Sequence, residues 1–275
     1  MKFAIRETIA EFTWIYPRDR IPGRCGALNM AHDCLYIVIP AYNEQDTIEN
    51  VAREWHNVVA KVSKDSRVVI INDGSGDRTG EILDKLSDEL EQLTAITKPN
   101  SGHGGTVLYG YRYALEHNAD YIFQTDSDGQ TIPDEFWPFW EKRMEYEAVI
   151  GKRIHRGDGM NRILVSKVLQ IILLLIFGVH VTDANTPFRL MNKDILGTYI
   201  QNIPENYFLT NVMMSVQFIY YKRKVLFLPI TFQSRQGGRN SINIKRIIGI
   251  GWRSVGDFMH MRKVLRGLES KKCIL

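Results

Sequence analysis

From Leu35 onward, short apolar runs alternate with segments whose apolar residues recur every three or four positions. The runs Leu35-Tyr-Ile-Val-Ile39, Arg67-Val-Val-Ile-Ile71, Thr94 to Thr97, Tyr121-Ile-Phe-Gln124 and Ala148 to Gly151 read as strands. A helix is expected from Asp46 or Thr47 to about Val62. A second is expected from Thr79 to Leu93, with Ile82, Leu83, Leu86, Leu90 and Leu93 on one face. A third follows the glycine-rich turn Asn100-Ser-Gly-His-Gly-Gly105 and runs to about His117, and another starts at Pro133 and Asp134. Strands alternating with helices imply an α/β fold: a mainly parallel central sheet with helices on both faces. Each strand ends in a polar loop, so these loops gather along one rim.

The rim carries candidate chemistry. Glu44, Asp73, Asp77, Asp126 and Asp128 all follow strand ends, and in an open α/β sheet ligands bind beyond the carboxyl ends of the strands. Asp126 and Asp128 stand one residue apart, with Gly129 allowing a sharp turn. Two carboxylates so close repel unless a cation lies between them. Mg²⁺ or Mn²⁺ suits such oxygen ligands and keeps positions free for substrate phosphates. A plain polar turn of Asp, Ser and Gly is the simpler alternative. Asp73 and Asp77 either hold the polar edges of a nucleotide or cap helices. Gly102, Gly104 and Gly105 allow backbone amides to approach phosphate or sugar. They match neither the P-loop nor the dinucleotide fingerprint, which argues against NTP hydrolysis and NAD binding. His103 is a phosphate contact or a structural histidine.

Composition narrows the setting. The chain has 275 residues, 44% hydrophobic and 24% charged, as in a folded globular protein. Its net charge of +4 hides an asymmetry: residues 222–275 hold 13 Lys and Arg against two acids, or +11, and the remainder carries −7. A basic end points to an anionic partner. Three cysteines without metal-type spacing fit a reducing compartment, and no compact basic-then-apolar leader opens the chain. Residues 1–34 show no period and read as an extension. The apolar stretch Ile163 to Val181 is broken by Ser166, Lys167, Gln170 and His180. Its unbroken apolar core, Ile171 to Val179, is far short of the roughly 20 residues a span needs, which puts a buried helix or one lying at a bilayer surface ahead of a span. Residues 242–268 interleave apolar residues with Lys245, Arg246, Arg253, Arg262 and Lys263. That suits an interfacial amphipathic helix or a core-packed last helix with a solvated basic face. Its aromatics do not form stacking platforms for nucleic acid.

Three motifs carry a resemblance: Ile37-Val-Ile-Pro-Ala-Tyr-Asn-Glu44, Ile71-Asn-Asp-Gly-Ser-Gly-Asp-Arg-Thr79 and Thr125-Asp-Ser-Asp-Gly-Gln130. In this order and spacing they resemble the inverting glycosyltransferases of family 2, with a GT-A fold. Asp183-Ala-Asn-Thr-Pro-Phe-Arg-Leu-Met191 and Arg235-Gln-Gly-Gly-Arg-Asn-Ser241 are similar to the branch that contains dolichyl-phosphate mannose synthase and bacterial polyprenyl-phosphate glycosyltransferases. The resemblance implies that Pro40, Tyr42 and Glu44 line the nucleotide pocket and that Asp73 holds base or ribose. It implies that Asp126 contacts nucleotide and metal, and that Asp128 and Gln130 complete the metal site. Arg153, Arg162 and Arg235 would lie near an acceptor phosphate, with Ser241 at the serine of the late loop. Two departures stand out: Thr186-Pro187 replaces the branch's Ser-Gly, and no lysine follows Ser241.

The expectation is therefore an extension over residues 1–34, a catalytic domain over 35–240 and a basic amphipathic segment over 241–275. The function expected is metal-dependent transfer of a sugar, with mannose or glucose foremost, from a GDP- or UDP-sugar to a polyprenyl phosphate. The setting expected is the cytoplasmic face of a membrane, bound peripherally to its anionic surface, with no nucleic-acid partner. A phosphate acceptor is already anionic and needs cations to position it. A hydroxyl acceptor needs a base, for which Asp183 and Glu205 are the candidates, with support of the Phe188-Arg189 loop as the equal alternative for Asp183. Transfer to a glycan hydroxyl and a non-catalytic nucleotide-sugar-binding subunit remain the alternatives.

Overall fold

A computed structural model describes residues 33–156, 160–205, 207–233 and 244–272. Seven strands form one sheet: β1 (Leu35–Ala41), β2 (Arg67–Asn72), β3 (Leu93–Thr97), β4 (Tyr121–Gln124), β5 (Ala148–Arg156), β6 (Arg189–Asn192) and β7 (Val225–Phe232). The helices are α1 (Ile48–Val62), α2 (Thr79–Glu89), α3 (Gly102–Glu116), α4 (Phe136–Glu141), α5 (Met160–Phe177), α6 (Lys193–Ile200), α7 (Thr210–Tyr220) and α8 (Ile244–Lys272). The strand order is β3-β2-β1-β4-β6-β5-β7. β6 runs antiparallel to both its neighbours, and every other pairing is parallel.

The continuous apolar run of β1 is explained by burial on both faces. Leu35, Ile37 and Ile39 pack against α1, α2 and α4 around Trp55, Phe123 and Phe136. Tyr36 and Val38 point the other way, into the cluster formed with α3, α5, α6, α7 and α8. The Trp55 and Phe123 rings lie 5.3 Å apart and Phe123 meets Phe188 edge-on at 4.7 Å, an arrangement aromatic quadrupoles favour.

Three local features differ from the sequence pattern. The helix expected to reach Leu93 stops at Glu89. Gln92 donates its side-chain amide to the Ser63 and Ser66 carbonyls, which draws the chain into extension, and Leu93 opens β3. The turn expected over 100–105 is already helical from Gly102. The strand expected over 148–151 continues to Arg156, because β7 pairs with it throughout.

α8 puts Phe258, Met261 and Leu265, which share one face, into the same cluster as α5. The Phe177 and Phe258 rings meet at 6.0 Å. α5 itself buries Leu173 and Phe177 but exposes Val165, Val168, Ile171, Leu174 and Leu175. Among the described residues no helix is long and apolar enough to cross a membrane. Residues 1–32, Arg235 and Ser241 lie outside the described residues, as do the side chains of Arg162, Lys245, Arg246 and Arg253.

Candidate active site

The topology creates the site. The chain leaves β1 for β2 and β3 on one side, then returns to lay β4 against β1's other edge. The crevice between the carboxyl ends of β1 and β4 is thus a switch point, where two connections diverge and leave a gap. A cavity of about 350 Å³ opens there, lined by Pro40, Tyr42, Glu44, Asp73, His103, Asp126 and Asp128 among others. Six residues expected at a nucleotide and metal site, drawn from three separate loops, are therefore brought together.

The loop after β1 is shaped by Asn43, whose φ is +54°. It donates its backbone N–H to the Ser75 hydroxyl, and its side-chain oxygen accepts from Gly76 N–H at 2.8 Å. This ties the first two motifs to each other and leaves the Tyr42 ring 52% exposed, a flat apolar surface at the cavity edge. Glu44 is buried and accepts from the Thr47 hydroxyl at 3.2 Å.

Beyond β4, Asp126 Oδ1 accepts from the Gln124 side-chain amide at 3.1 Å and lies 3.9 Å from His103 Nε2. Asp128 Oδ1 accepts from Gln130 N–H at 3.2 Å. The Thr47 hydroxyl holds the Ser127 carbonyl at 2.9 Å. Among the described residues no group of three His, Cys, Asp or Glu could hold a metal by itself. Two acidic side chains over one open cavity nevertheless fit Mg²⁺ or Mn²⁺, whose remaining positions are ordinarily filled by water and substrate phosphate.

The structure narrows several of the expected roles. Asp73 faces the cavity, but its carboxylate is occupied. It pairs with Lys98 and accepts from Ser101 N–H at 2.8 Å and Gly102 N–H at 2.9 Å, so it caps the start of α3. Burial pushes its carboxyl up, but the bonds from Lys98 and Ser101 outweigh this and hold it below the usual value. Asp77 is a cap as well, accepting from Thr79 N–H at 3.0 Å and Thr79 Oγ1 at 2.6 Å. Gln130 lies away from the cavity lining, and its amide nitrogen goes to the Gln233 carbonyl at 2.7 Å. Gly104 is a packing residue: a Cβ there would fall 2.2 Å from the Tyr207 carbonyl oxygen. Its missing side chain lets α3 approach that backbone, where the sequence reading assigned it to a ligand.

A second cavity, of about 320 Å³, lies between β5, α5 and the 182–185 loop, with Lys152, Arg153, Lys167 and Asp183 in its wall. Arg153 donates to Asp183 from its backbone N–H at 3.2 Å, from Nε at 2.9 Å and from Nη2 at 2.7 Å. Both oxygens of Asp183 thus hold a guanidinium, an anchoring arrangement that lends the base role no support. Glu205, the other base candidate, is exposed, faces Arg112 at 3.3 Å and lines neither cavity.

Three residues behind the cavities have roles that the sequence does not spell out. Lys98 could have been flagged, because it too follows a strand end. Gln124 reads as one more strand residue. Arg189 belongs to the quoted 183–191 motif, but its full burial and the bonds of its guanidinium to the Ala184, Thr186 and Asn211 carbonyls appear only in the structure.

Residues 36–200 match the family model Glycosyl transferase family 2. UDP-N-acetylglucosamine–dolichyl-phosphate N-acetylglucosaminyltransferase of Methanococcus voltae is 32% identical over 189 residues, covering 61% of this chain and 72% of the relative. Undecaprenyl-phosphate 4-deoxy-4-formamido-L-arabinose transferase of Salmonella choleraesuis (strain SC-B67) is 24% identical over 217 residues, which is 78% of this chain. The chain spans 64% of that relative's length. Among solved structures, glucosyl-3-phosphoglycerate synthase from Mycobacterium tuberculosis with Mn²⁺, UDP and phosphoglyceric acid superposes with a TM-score of 0.61. It is 15% identical and covers 84% of this chain and 79% of that one. Staphylococcus aureus TarS 1-349 with UDP-GlcNAc gives a TM-score of 0.54 at 15% identity, covering 76% of this chain and 61% of that one. The sheet order, the acidic switch-point cavity and the family match over most of the described core agree: the chain belongs to glycosyl transferase family 2 and is a glycosyltransferase of the GT-A fold.

Proposed function

We propose that this glycosyltransferase moves a sugar from a nucleotide-sugar donor to a polyprenyl phosphate, inverting the anomeric carbon. The carrying observation is two cavities of unlike chemistry. One holds the paired carboxylates Asp126 and Asp128, and the other has Lys152, Arg153 and Lys167 in its wall beside the apolar helix α5. In this reading the donor's diphosphate lies at the acidic cavity, with Tyr42 against the base. Asp126 and Asp128 would hold Mg²⁺ or Mn²⁺, which when bound offsets the charge of the departing nucleoside diphosphate. Arg153, held in place by Asp183, and the neighbouring lysines position the acceptor phosphate, with Arg235 and Ser241 assigned to the same acceptor. That phosphate is already anionic, so no base is needed, in keeping with the occupied Asp183 and the outlying Glu205.

The printed names of the two relatives specify dolichyl and undecaprenyl phosphate acceptors. UDP appears in the Methanococcus name and in both structural neighbours, so UDP-sugars are the first donors to try. The relatives carry N-acetylglucosamine and a formamido-arabinose, so a donor panel must reach beyond mannose and glucose. A lipid acceptor also supports peripheral attachment at the cytoplasmic face of a membrane, through the exposed face of α5 and the basic C-terminal end.

The test is transfer of radiolabelled sugar from UDP- and GDP-donors into the organic phase, with polyprenyl phosphate and Mn²⁺ or Mg²⁺. Label in the lipid, abolished by EDTA, is the expected result. Donor hydrolysis without lipid label would move the acceptor to a hydroxyl. Undiminished transfer in EDTA would remove the metal.

A further inference from the structure

A line of buried side chains runs from the interior of the fold to the Asp126 carboxylate. The Tyr111 hydroxyl on α3 donates to Asn211 Oδ1 on α7 at 3.0 Å. Asn211 Nδ2 donates to Gln124 Oε1 at the end of β4 at 2.8 Å, and Gln124 Nε2 donates to Asp126 Oδ1 at 3.1 Å. Tyr111 and Gln124 are fully buried and Asn211 is 3% exposed. Chemistry gives the line one direction. A carboxylate only accepts, so the Gln124 nitrogen must face Asp126. Its oxygen is then left for Asn211, whose nitrogen must face Gln124 and whose oxygen must face Tyr111. The tyrosine closes the line as a donor, and burial raises its pKa well above the usual phenol value. A flip at either amide would set oxygen against oxygen in the interior, which is costly. Asn211 is pinned in turn, because its backbone carbonyl accepts from Arg189 Nη1 at 3.0 Å and from Ser215 Oγ at 2.9 Å.

We infer that Tyr111, Asn211 and Gln124 form a positioning relay that locks the rotamer of Asp126 by holding Oδ1, the oxygen that also lies 3.9 Å from His103, and leaving Oδ2 for the metal and diphosphate at the switch-point cavity. This rests on the metal reading of Asp126 and Asp128. The relay spans three elements that share no local sequence, so α3 and α7 packing is coupled to the orientation of one carboxylate. Partners of this kind behind a ligand typically change metal affinity by 10–100-fold when removed.

Mn²⁺ titrated into the protein with UDP, and separately with GDP, read by the EPR signal of free Mn²⁺, tests this without turnover. Gln124→Met keeps length and removes the amide, and it should weaken Mn²⁺ affinity about tenfold or more. Tyr111→Phe keeps the ring and removes only the terminal donor. It should weaken affinity in the same direction by a smaller factor, and it carries the test if Gln124→Met does not fold. Phe218→Leu, a buried change in α7 that leaves the relay intact, should lower the melting temperature and leave Mn²⁺ affinity unchanged. Wild-type affinity in both relay variants overturns the relay alone. Equal loss in Phe218→Leu also overturns it, by assigning the effect to general loosening. Absence of Mn²⁺ binding by the wild type with either nucleotide overturns the metal reading and the relay with it.

Discussion

At the scale of single residues, following a strand end does not by itself separate the carboxylates; what each one faces and which groups bond it does. Asp126 and Asp128 face the cavity from the end of β4, whereas Asp77 spends its oxygens on Thr79 and Gln45 N–H. Asp128→Asn should reduce metal-dependent transfer by about 10²-fold or more while cooperative unfolding persists, measured by radiolabel transfer alongside thermal melts. Retained turnover would remove Asp128 from the metal site. Asp73 makes a different prediction. Its folded pKa lies below the ordinary value of 3.8, so it contributes stability above that value and loses it as pH falls through the folded value. Asp73→Asn should therefore cost about 1–3 kcal/mol near neutral pH. The difference from wild type should narrow in urea melts taken progressively below pH 4. The acidic pair was legible in sequence because strand and turn are contiguous there. The partner of Asp73 was not, because Lys98 reaches it only once β2 and β3 are paired.

At the scale of elements, helix α3 shows how packing overrides a motif. Its glycines look like an anion-binding turn, yet Gly104 is where the helix presses on the 207–208 backbone. Gly104→Ala should destabilise the fold by roughly 1–3 kcal/mol, read by urea denaturation, because the obstacle is main chain and not a side chain that could rotate. Unchanged stability would show that α3 can withdraw from that contact. Toward the β7 edge of the sheet, β5 and the 182–185 loop are joined by the Arg153–Asp183 pair, with Arg153 also 5.3 Å from the Phe232 ring centroid. If the proposed acceptor holds, Arg153→Ala should raise the KM for lipid phosphate about tenfold while donor affinity stays within about twofold, and it should also lower the melting temperature, because Asp183 loses that guanidinium. Equal loss of donor affinity would contradict the acceptor assignment. Helix starts and strand centres were readable from periodicity as far as β5, and α6, α7 and β7 were not. β6 was not, since its four residues Arg189–Asn192 include a buried arginine whose partners come from α7 and the preceding loop.

At the scale of the whole molecule, two features bear on membrane contact, one an exposed apolar face and the other a charge read from the sequence. α5 exposes Ile171 at 57% and Leu175 at 75%, and residues 222–275 carry a charge of +11. Co-sedimentation with vesicles containing anionic lipid should fall steeply as salt rises. It should fall further in Leu175→Glu, which places a charge on the apolar face without touching the core. Equal binding to neutral vesicles at high salt would leave no electrostatic part. The alternation of strands and helices, the rim of acidic loops and the three motifs were determined by the sequence itself. Each rests on residues adjacent along the chain, where backbone geometry and periodicity act directly. What only the tertiary structure decided was which polar groups meet across the chain. Lys98 takes up Asp73, Arg153 takes up Asp183, Gln124 is tied back to Tyr111 through Asn211, and Gly104 gives its space to a neighbouring backbone. Such pairings depend on burial. Inside the fold a polar group must find a partner among whatever the packing brings near, and chain distance holds no information about that partner.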